Sequence, residues 1–215
     1  MIPKTLHFVW VGDESRCPHN YIDTWRKRNP SWRIRLWTDA DLASRSWRTK
    51  KHIDVMYRKQ LCGVADMMRY EILYNEGGFA VDADSACLRP LENHLFEKGS
   101  VFACWANEKR RPGLIANGFM AAKAQDPFIA KLVDSIVASP SVTKARASQT
   151  VGPKRLTDLY NQTKYAALTI WPSHYFLPEF HSGEKYTGSG PVFASHRWGS
   201  TRNLYGSLSR EKVPT

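Results

Sequence analysis

The sequence predicts a single α/β domain built on a mixed central sheet flanked by helices. Three observations carry that expectation. Short apolar, β-rich runs alternate with segments of helical period, the pattern of a sheet covered by helices. A length of 215 residues suits one domain, and no internal repeat or low-complexity tract interrupts it. An apolar fraction of 42% and a charged fraction of 24% are those of an ordinary globular chain, which excludes a disordered or fibrous one.

The elements follow in order. Lys4–Val11 is a near-continuous apolar run ending at Gly12, the mark of a buried first strand. His19–Asn29 carries Tyr21, Ile22 and Trp25 at helical spacing and stops at Asn29-Pro30. Trp32–Trp37 alternates as a strand, and Thr38 or Asp39 then caps a helix running toward Ser46. Cys62–Glu76 is a helix closed by Gly77-Gly78, followed by a short apolar strand at Phe79–Asp82. Val101–Trp105 and Ile115–Ala122 are further strands. Asp126 and Pro127 open a helix to Ala138, and Val151–Gln162 forms another. Beyond these the chain is aromatic and loop-rich, with strands near Leu168–Trp171 and Val192–Ala194.

Charge is uneven. The net charge is +11, of which residues 1–100 hold +3 and residues 101–215 hold +8. No acid occurs between Ser135 and Thr157, where Lys144, Arg146, Lys154 and Arg155 fall. Such a single-sign field favours a polyanionic partner, DNA or an acidic glycan, or peripheral contact with anionic lipid. No apolar run is long enough to form a transmembrane segment, and no secretory signal is evident. Cys17, Cys62, Cys87 and Cys104 lack metal-site spacing, so the sequence predicts a reduced, cytoplasmic protein without a disulfide framework.

The densest chemistry lies between Ala65 and Asp84. Asp66 and Arg69 are three apart and share a helix face. The double glycine then breaks the helix, and a four-residue apolar strand delivers Asp82 and Asp84 to its carboxyl end. Residues two apart in an extended segment point the same way, so the pair suits a hard divalent cation, which takes oxygen ligands and bridges phosphates. Asp-x-Asp alone is common by chance; the helix, Gly-Gly, strand and acids in sequence make this one distinctive. A second pair, Asp39 and Asp41, opens a helix, where capping explains it. Trp10 ends the first strand with a large flat face, for a nucleobase or for the core. His7 on that strand is expected to be a satisfied core histidine.

The chain resembles the glycosyltransferases with a DXD-containing sugar-binding region. These include fungal α-1,6-mannosyltransferases, animal α-1,4-galactosyltransferases and bacterial capsular transferases, with the large glucosylating toxins more distant. The resemblance rests on IPKTLHFVWVG at residues 2–12, NPSWRIRLWTDADL at 29–42 and ADMMRYEILYNEGGFAVDADSACLRPL at 65–91. Weaker echoes follow in IANGFMAAK, TVGPKRL and SHRWGS. It implies a GT-A, Rossmann-like fold, a UDP- or GDP-hexose donor, and Mn²⁺ or Mg²⁺. Residues 1–92 would form the nucleotide-sugar and metal half, and 93–215 the acceptor half. It further implies that Trp10 stacks on the base with Val9 beside it, and that Thr38 or Asp39 lies near the base edge. Asp66 would hold sugar or ribose hydroxyls, Arg69 the donor sugar and phosphates, and Asp82 and Asp84 the metal. Asn117 would lie near the donor sugar and His196 near the metal. Family members retain anomeric configuration. The acceptor stays open between a surface glycan or lipid-linked precursor and hydroxymethylated pyrimidines in DNA.

Overall fold

The structure is a computed structural model and describes residues 1–213. The elements are β1 (Thr5–Val9), α1 (His19–Arg28), β2 (Arg33–Trp37), α2 (Asp39–Ser44), α3 (Lys50–Tyr57), α4 (Leu61–Glu76), β3 (Gly78–Val81) and β4 (Ser85–Cys87). They continue with β5 (Val101–Asn107), β6 (Arg111–Ala122), α5 (Pro127–Val137), α6 (Ala147–Thr150), α7 (Pro153–Thr163), β7 (Leu168–Trp171), β8 (Ala194–His196) and α8 (Gly199–Arg202). Six strands form one sheet in the order β2-β1-β3-β6-β5-β7, and β4 pairs with β8 in a separate two-stranded ribbon. β1 runs parallel to β2 and β3, β6 runs antiparallel to β3 and β5, and β7 returns parallel to β5. The expected mixed α/β sheet is therefore observed.

Alternation along the strands sorts the core onto two faces. Val9, Ala80 and Met120 pack beneath α4, α5 and α7, with Met68, Leu132 and Leu156. Leu6, Phe8, Phe79, Val81 and Phe119 face the other way, against Trp25 of α1 and the late aromatic residues Trp171, Phe176 and Phe193. Strands buried on both faces explain why β1 and β3 lack the polar alternation of a half-exposed sheet.

The junction of α4 and β3 is fixed by its glycines. Gly77 has φ +66° and Gly78 φ +99°, a region that side-chain-bearing residues avoid. A Cβ on Gly78 would also lie 2.7 Å from the Thr5 carbonyl oxygen and 2.8 Å from His7 Nε2. His7 is the satisfied core histidine the sequence suggested. Its Nδ1 accepts from Trp37 Nε1 at 3.1 Å, and its Nε2 donates to the Gly77 carbonyl at 2.9 Å.

Four features differ from the sequence expectation. α3 was not foreseen, because its buried stripe is only His52, Ile53 and Met56. Its amino end is held from a distance, by buried Glu71 accepting the N–H groups of Arg48 and Thr49 at 2.7 and 2.8 Å. β4 is three residues long and exists through its pairing with β8, more than a hundred residues later. The last strand is Ala194–His196, not Val192–Ala194, for the same reason. The helix expected at Val151–Gln162 begins at Pro153, as α7, and the short α6 before it was not expected.

Candidate active site

The carboxyl ends of the parallel strands β1 and β3 open on one side of the sheet, where ligands bind in open α/β folds. Asp82 follows β3 directly, and Asp84 precedes β4 by one residue. The β4–β8 ribbon pairs Ser85 with His196 and so brings His196 back to the acids. His196 Nε2 lies 3.2 Å from Asp82 Oδ2 and 3.1 Å from Asp84 Oδ1. One ligand atom from each of the three residues lies within 4.8 Å of the others.

These residues fit a divalent cation. Both ring nitrogens of His196 are buried without a hydrogen-bond partner among the described residues, although two carboxylates face one of them. Two carboxylate oxygens and an imidazole nitrogen form a donor set that suits Mn²⁺, whereas Mg²⁺ prefers oxygen alone. Without an ion the site balances itself by protonation. Burial would lower the His196 pKa, but the Asp84 and Asp82 carboxylates outweigh it and raise it. Burial would raise that of Asp82, but Arg69 and His196 hold it below the usual carboxylate range.

Arg69 is 4% exposed and lies at the centre of the site. It donates to Asp82 Oδ1 and to the Asn117 carbonyl, and its Nη1 stands 3.4 Å from Asp66 Oδ1. Asp66 and Arg69 thus share a face of α4, as their spacing predicts. Burial pushes the Asp66 carboxyl up to about 6, against the pull of Arg69. The Asn117 side chain donates to Asp66 Oδ1 and to the Tyr70 hydroxyl, each at 2.8 Å. Asn117 therefore backs Asp66 and is absent from the cavity walls.

Two adjoining cavities, of about 630 and 170 Å³, share Val9, Trp10, Cys62, Ala65, Ser200, Thr201 and Tyr205 in their walls. The smaller holds Asp66, Arg69, Asp82, Asp84 and His196. The larger extends past Trp10 to Arg16, Gln60 and Arg146. Trp10 is half-buried on the shared wall, not in the core. Its Nε1 donates to the Asp13 carbonyl at 2.9 Å, and its ring meets Tyr205 edge-on with centroids 5.2 Å apart.

Asp39 and Asp41 serve the backbone, though not quite as expected. Thr38 is the cap of α2 and forms a capping box with Asp41. Asp39 is instead the first residue of the helix. Its Oδ2 accepts the Gly12 N–H and its Oδ1 the Tyr57 hydroxyl, each at 2.7 Å, and it lines neither cavity. Two of the four basic residues singled out in the carboxyl-terminal half are occupied locally. Lys154 pairs with Asp158 at 2.7 Å, and Arg155 braces the Thr150 carbonyl and the Ser139 hydroxyl at 2.9 and 2.8 Å.

Sequence reasoning missed Tyr205 and Cys62, and met the start of α8 only in the weak echo SHRWGS. Gly199 of α8 donates its backbone N–H to Asp84 Oδ2 at 2.6 Å. Trp198, just before it, takes a left-handed φ of 59°, a conformation bulky residues rarely adopt. Cys62 comes on the first turn of α4, and the ribbon with β4 carries Trp198, Gly199 and Tyr205 to the site.

The fold is the GT-A fold of glycosyltransferases. The family described as glycosyltransferase sugar-binding region containing DXD motif matches residues 16–101 of the chain. It is 26% identical over 143 residues to inositol phosphoceramide mannosyltransferase 3 of Schizosaccharomyces pombe, a match covering 63% of this chain and 37% of that protein. The chain thus spans well under half the length of that curated relative. Among solved structures it is similar to the PaToxG glycosyltransferase, with a TM-score of 0.62 and 18% identity over 76% of this chain and 70% of the other. The UDP-bound glycosyltransferase domain of the YGT toxin gives a TM-score of 0.57 and 11% identity, covering 79% of each chain.

Proposed function

We propose that the protein is a metal-dependent, retaining glycosyltransferase that moves a hexose from a UDP- or GDP-sugar to a hydroxyl of a glycan or lipid-linked acceptor. The observation that carries this reading is the juxtaposition of Asp82, Asp84 and His196 with a cavity walled by Trp10. The three ligating groups sit in the smaller cavity, and the larger adjoining space suits a nucleoside. A UDP-bound structural neighbour supports a uridine nucleotide, and the name of the fungal relative supports a hexose donor and a lipid-borne acceptor.

Asp82, Asp84 and His196 would hold Mn²⁺, or Mg²⁺ with weaker use of the histidine; bound there, the ion neutralises diphosphate charge and improves the leaving group. The chain's own residues do the rest. Trp10 offers a face to the base. Arg69, fixed by Asp82 and the Asn117 carbonyl, presents a buried positive charge where the leaving diphosphate gains negative charge. Asp66, held by Asn117, stands on the wall of the smaller cavity, where its carboxylate would accept a hydroxyl of the donor. Transfer breaks the bond from the anomeric carbon to the diphosphate oxygen and forms one to the acceptor oxygen. In a front-face route the acceptor proton passes to the departing diphosphate.

Hydroxymethylated DNA as acceptor rests on net charge. Lys154 and Arg155 are engaged within their own segment, and Arg202 pairs with Glu179 at 2.9 Å, which leaves fewer free cations than the count suggests. The glycan or lipid-linked acceptor is therefore the better supported reading. The test is calorimetric binding of a nucleotide-sugar panel with Mn²⁺, followed by product mass spectrometry on glycan, lipid-linked and DNA acceptors. Absence of metal-dependent binding to any nucleotide-sugar would overturn the proposal.

A further inference from the structure

Four of the six large apolar side chains that stand exposed among the described residues lie on α3 or on the elements that flank it. They are Val55 (47% exposed), Tyr57 (37%), Leu61 (37%) and Val137 (43%). Val137 closes α5, and its carbonyl lies 3.4 Å from His52 Nε2 of α3. Val55 and Tyr57, two apart on α3, stand on opposite shoulders of its buried stripe, with Val137 at the His52 edge and Leu61 beside Gly12.

Cations stand among them. Lys51, Arg58 and Lys59 are exposed on α3 and the turn after it. Gln60 Oε1 accepts the Ala147 N–H at 2.8 Å, and this bond brings the segment bearing exposed Lys144 and Arg146 alongside. The acids of the neighbourhood are already taken: Asp54 by Lys50, Asp134 by Arg48, and Asp39 by Gly12 and Tyr57. The five cations make no ion pair among the described residues. This basic face is thus built from both halves of the chain, with Lys144 and Arg146 contributing and Lys154 and Arg155 not.

Cations alone suit any polyanion. Cations flanked by apolar side chains suit the boundary between lipid headgroups and acyl chains, where both kinds of group gain. Against a duplex lined with phosphates, Val55 and Val137 would gain little. Leu61 and Arg146 also stand on the wall of the larger cavity, so this face borders the opening of the proposed donor site.

We infer that the face formed by α3, the 58–61 turn and the 144–146 segment docks the protein on a membrane surface of anionic phospholipid. Docking itself stands independently; its use, holding the site where a lipid-linked acceptor is presented, rests on the glycosyltransferase reading.

Vesicle flotation tests it, comparing phosphatidylcholine alone with phosphatidylcholine containing about 30 mol% phosphatidylglycerol. The expected result is binding to the anionic vesicles only, weakened by salt. Arg58→Glu with Lys59→Glu should lower the partition coefficient about tenfold or more. Val55→Ser should lower it with the salt dependence retained. None of these three residues lines a cavity, so binding of UDP with Mn²⁺ should be unchanged, with thermal unfolding confirming the fold. Failure of the parent protein to bind UDP would strike the enzymatic reading and leave docking intact. Equal binding to neutral vesicles, no vesicle binding, or anionic binding untouched by the double variant would overturn the inference. So would tighter binding to duplex DNA that the double variant abolishes, which would make the face a nucleic-acid surface.

Discussion

The backbone N–H of Gly199 donates to Asp84 Oδ2 at 2.6 Å, joining the carboxyl-terminal segment to an acid 115 residues earlier. A Cβ at position 199 would lie 2.4 Å from the Tyr205 ring and 2.9 Å from that same carboxylate oxygen. Gly199→Ala should therefore displace Tyr205 or Asp84 while leaving the six-stranded sheet folded. The expected outcome is a loss of apparent Mn²⁺ affinity of about tenfold, the scale of a disturbed ligand-orienting contact. Isothermal titration with Mn²⁺ and UDP checks it, and unchanged metal affinity would show that the contact is incidental.

The acids and the histidine should act as one set. Asp82→Asn, Asp84→Asn and His196→Ala are each expected to abolish most metal-dependent transfer, with EDTA reproducing the effect on the parent protein. Full activity in excess chelator would remove the metal from the mechanism.

Trp10→Ala should weaken donor binding more than it slows chemistry, because the ring lies on the cavity wall and not in the core. Truncating an aromatic that stacks on a base costs about 1–3 kcal/mol. A raised donor KM with kcat less affected is the expected signature, and an unchanged KM in a folded variant would assign Trp10 to packing against Tyr205 alone.

Asp39→Asn should retain metal binding, since its carboxylate is engaged by Gly12 and Tyr57 away from the ligating set. Weakening one of those contacts should cost about 1 kcal/mol of stability. Loss of metal binding in this variant would reverse the assignment of the two Asp-x-Asp pairs.

His7 makes stability depend on acid. Burial lowers its pKa from 6.5 to about 4, so the native state holds it neutral while the unfolded chain takes up a proton. Its contribution is complete above 6.5 and is lost as pH falls from there through about 4. The full loss is of order 3 kcal/mol, at about 1.4 kcal/mol per pKa unit. Urea unfolding on both sides of that window measures it, and His7→Gln should flatten the profile.

Those parts of the architecture with local causes were legible in the sequence. β1, α4 and β3 follow from apolar runs and the Gly77-Gly78 break, and Asp66, Arg69, Asp82 and Asp84 converge because one helix and one strand deliver them. Trp10 on the cavity wall, not in the core, came from resemblance and not from periodicity. Tyr205 was illegible, and the α8 segment no more than the weak echo SHRWGS, because a three-residue ribbon over a long separation places them. Lys154 and Arg155 misled because charge counts do not show which cations have neighbours; Asp158, one turn further along α7, already holds Lys154.

The β4–β8 ribbon also sets an order of assembly during synthesis. By the time β7 has left the ribosome, every strand of the large sheet exists and both faces can begin to close. The nascent chain then has its two acids but neither His196 nor the Gly199 clasp. Asp82 and Asp84 must wait, with Arg69 as their countercharge, until the ribbon's second strand is translated and docks. The three-residue ligating set would consequently be completed late, as a separate event, and a stalled chain ending between β7 and β8 would lack the histidine of the proposed metal site.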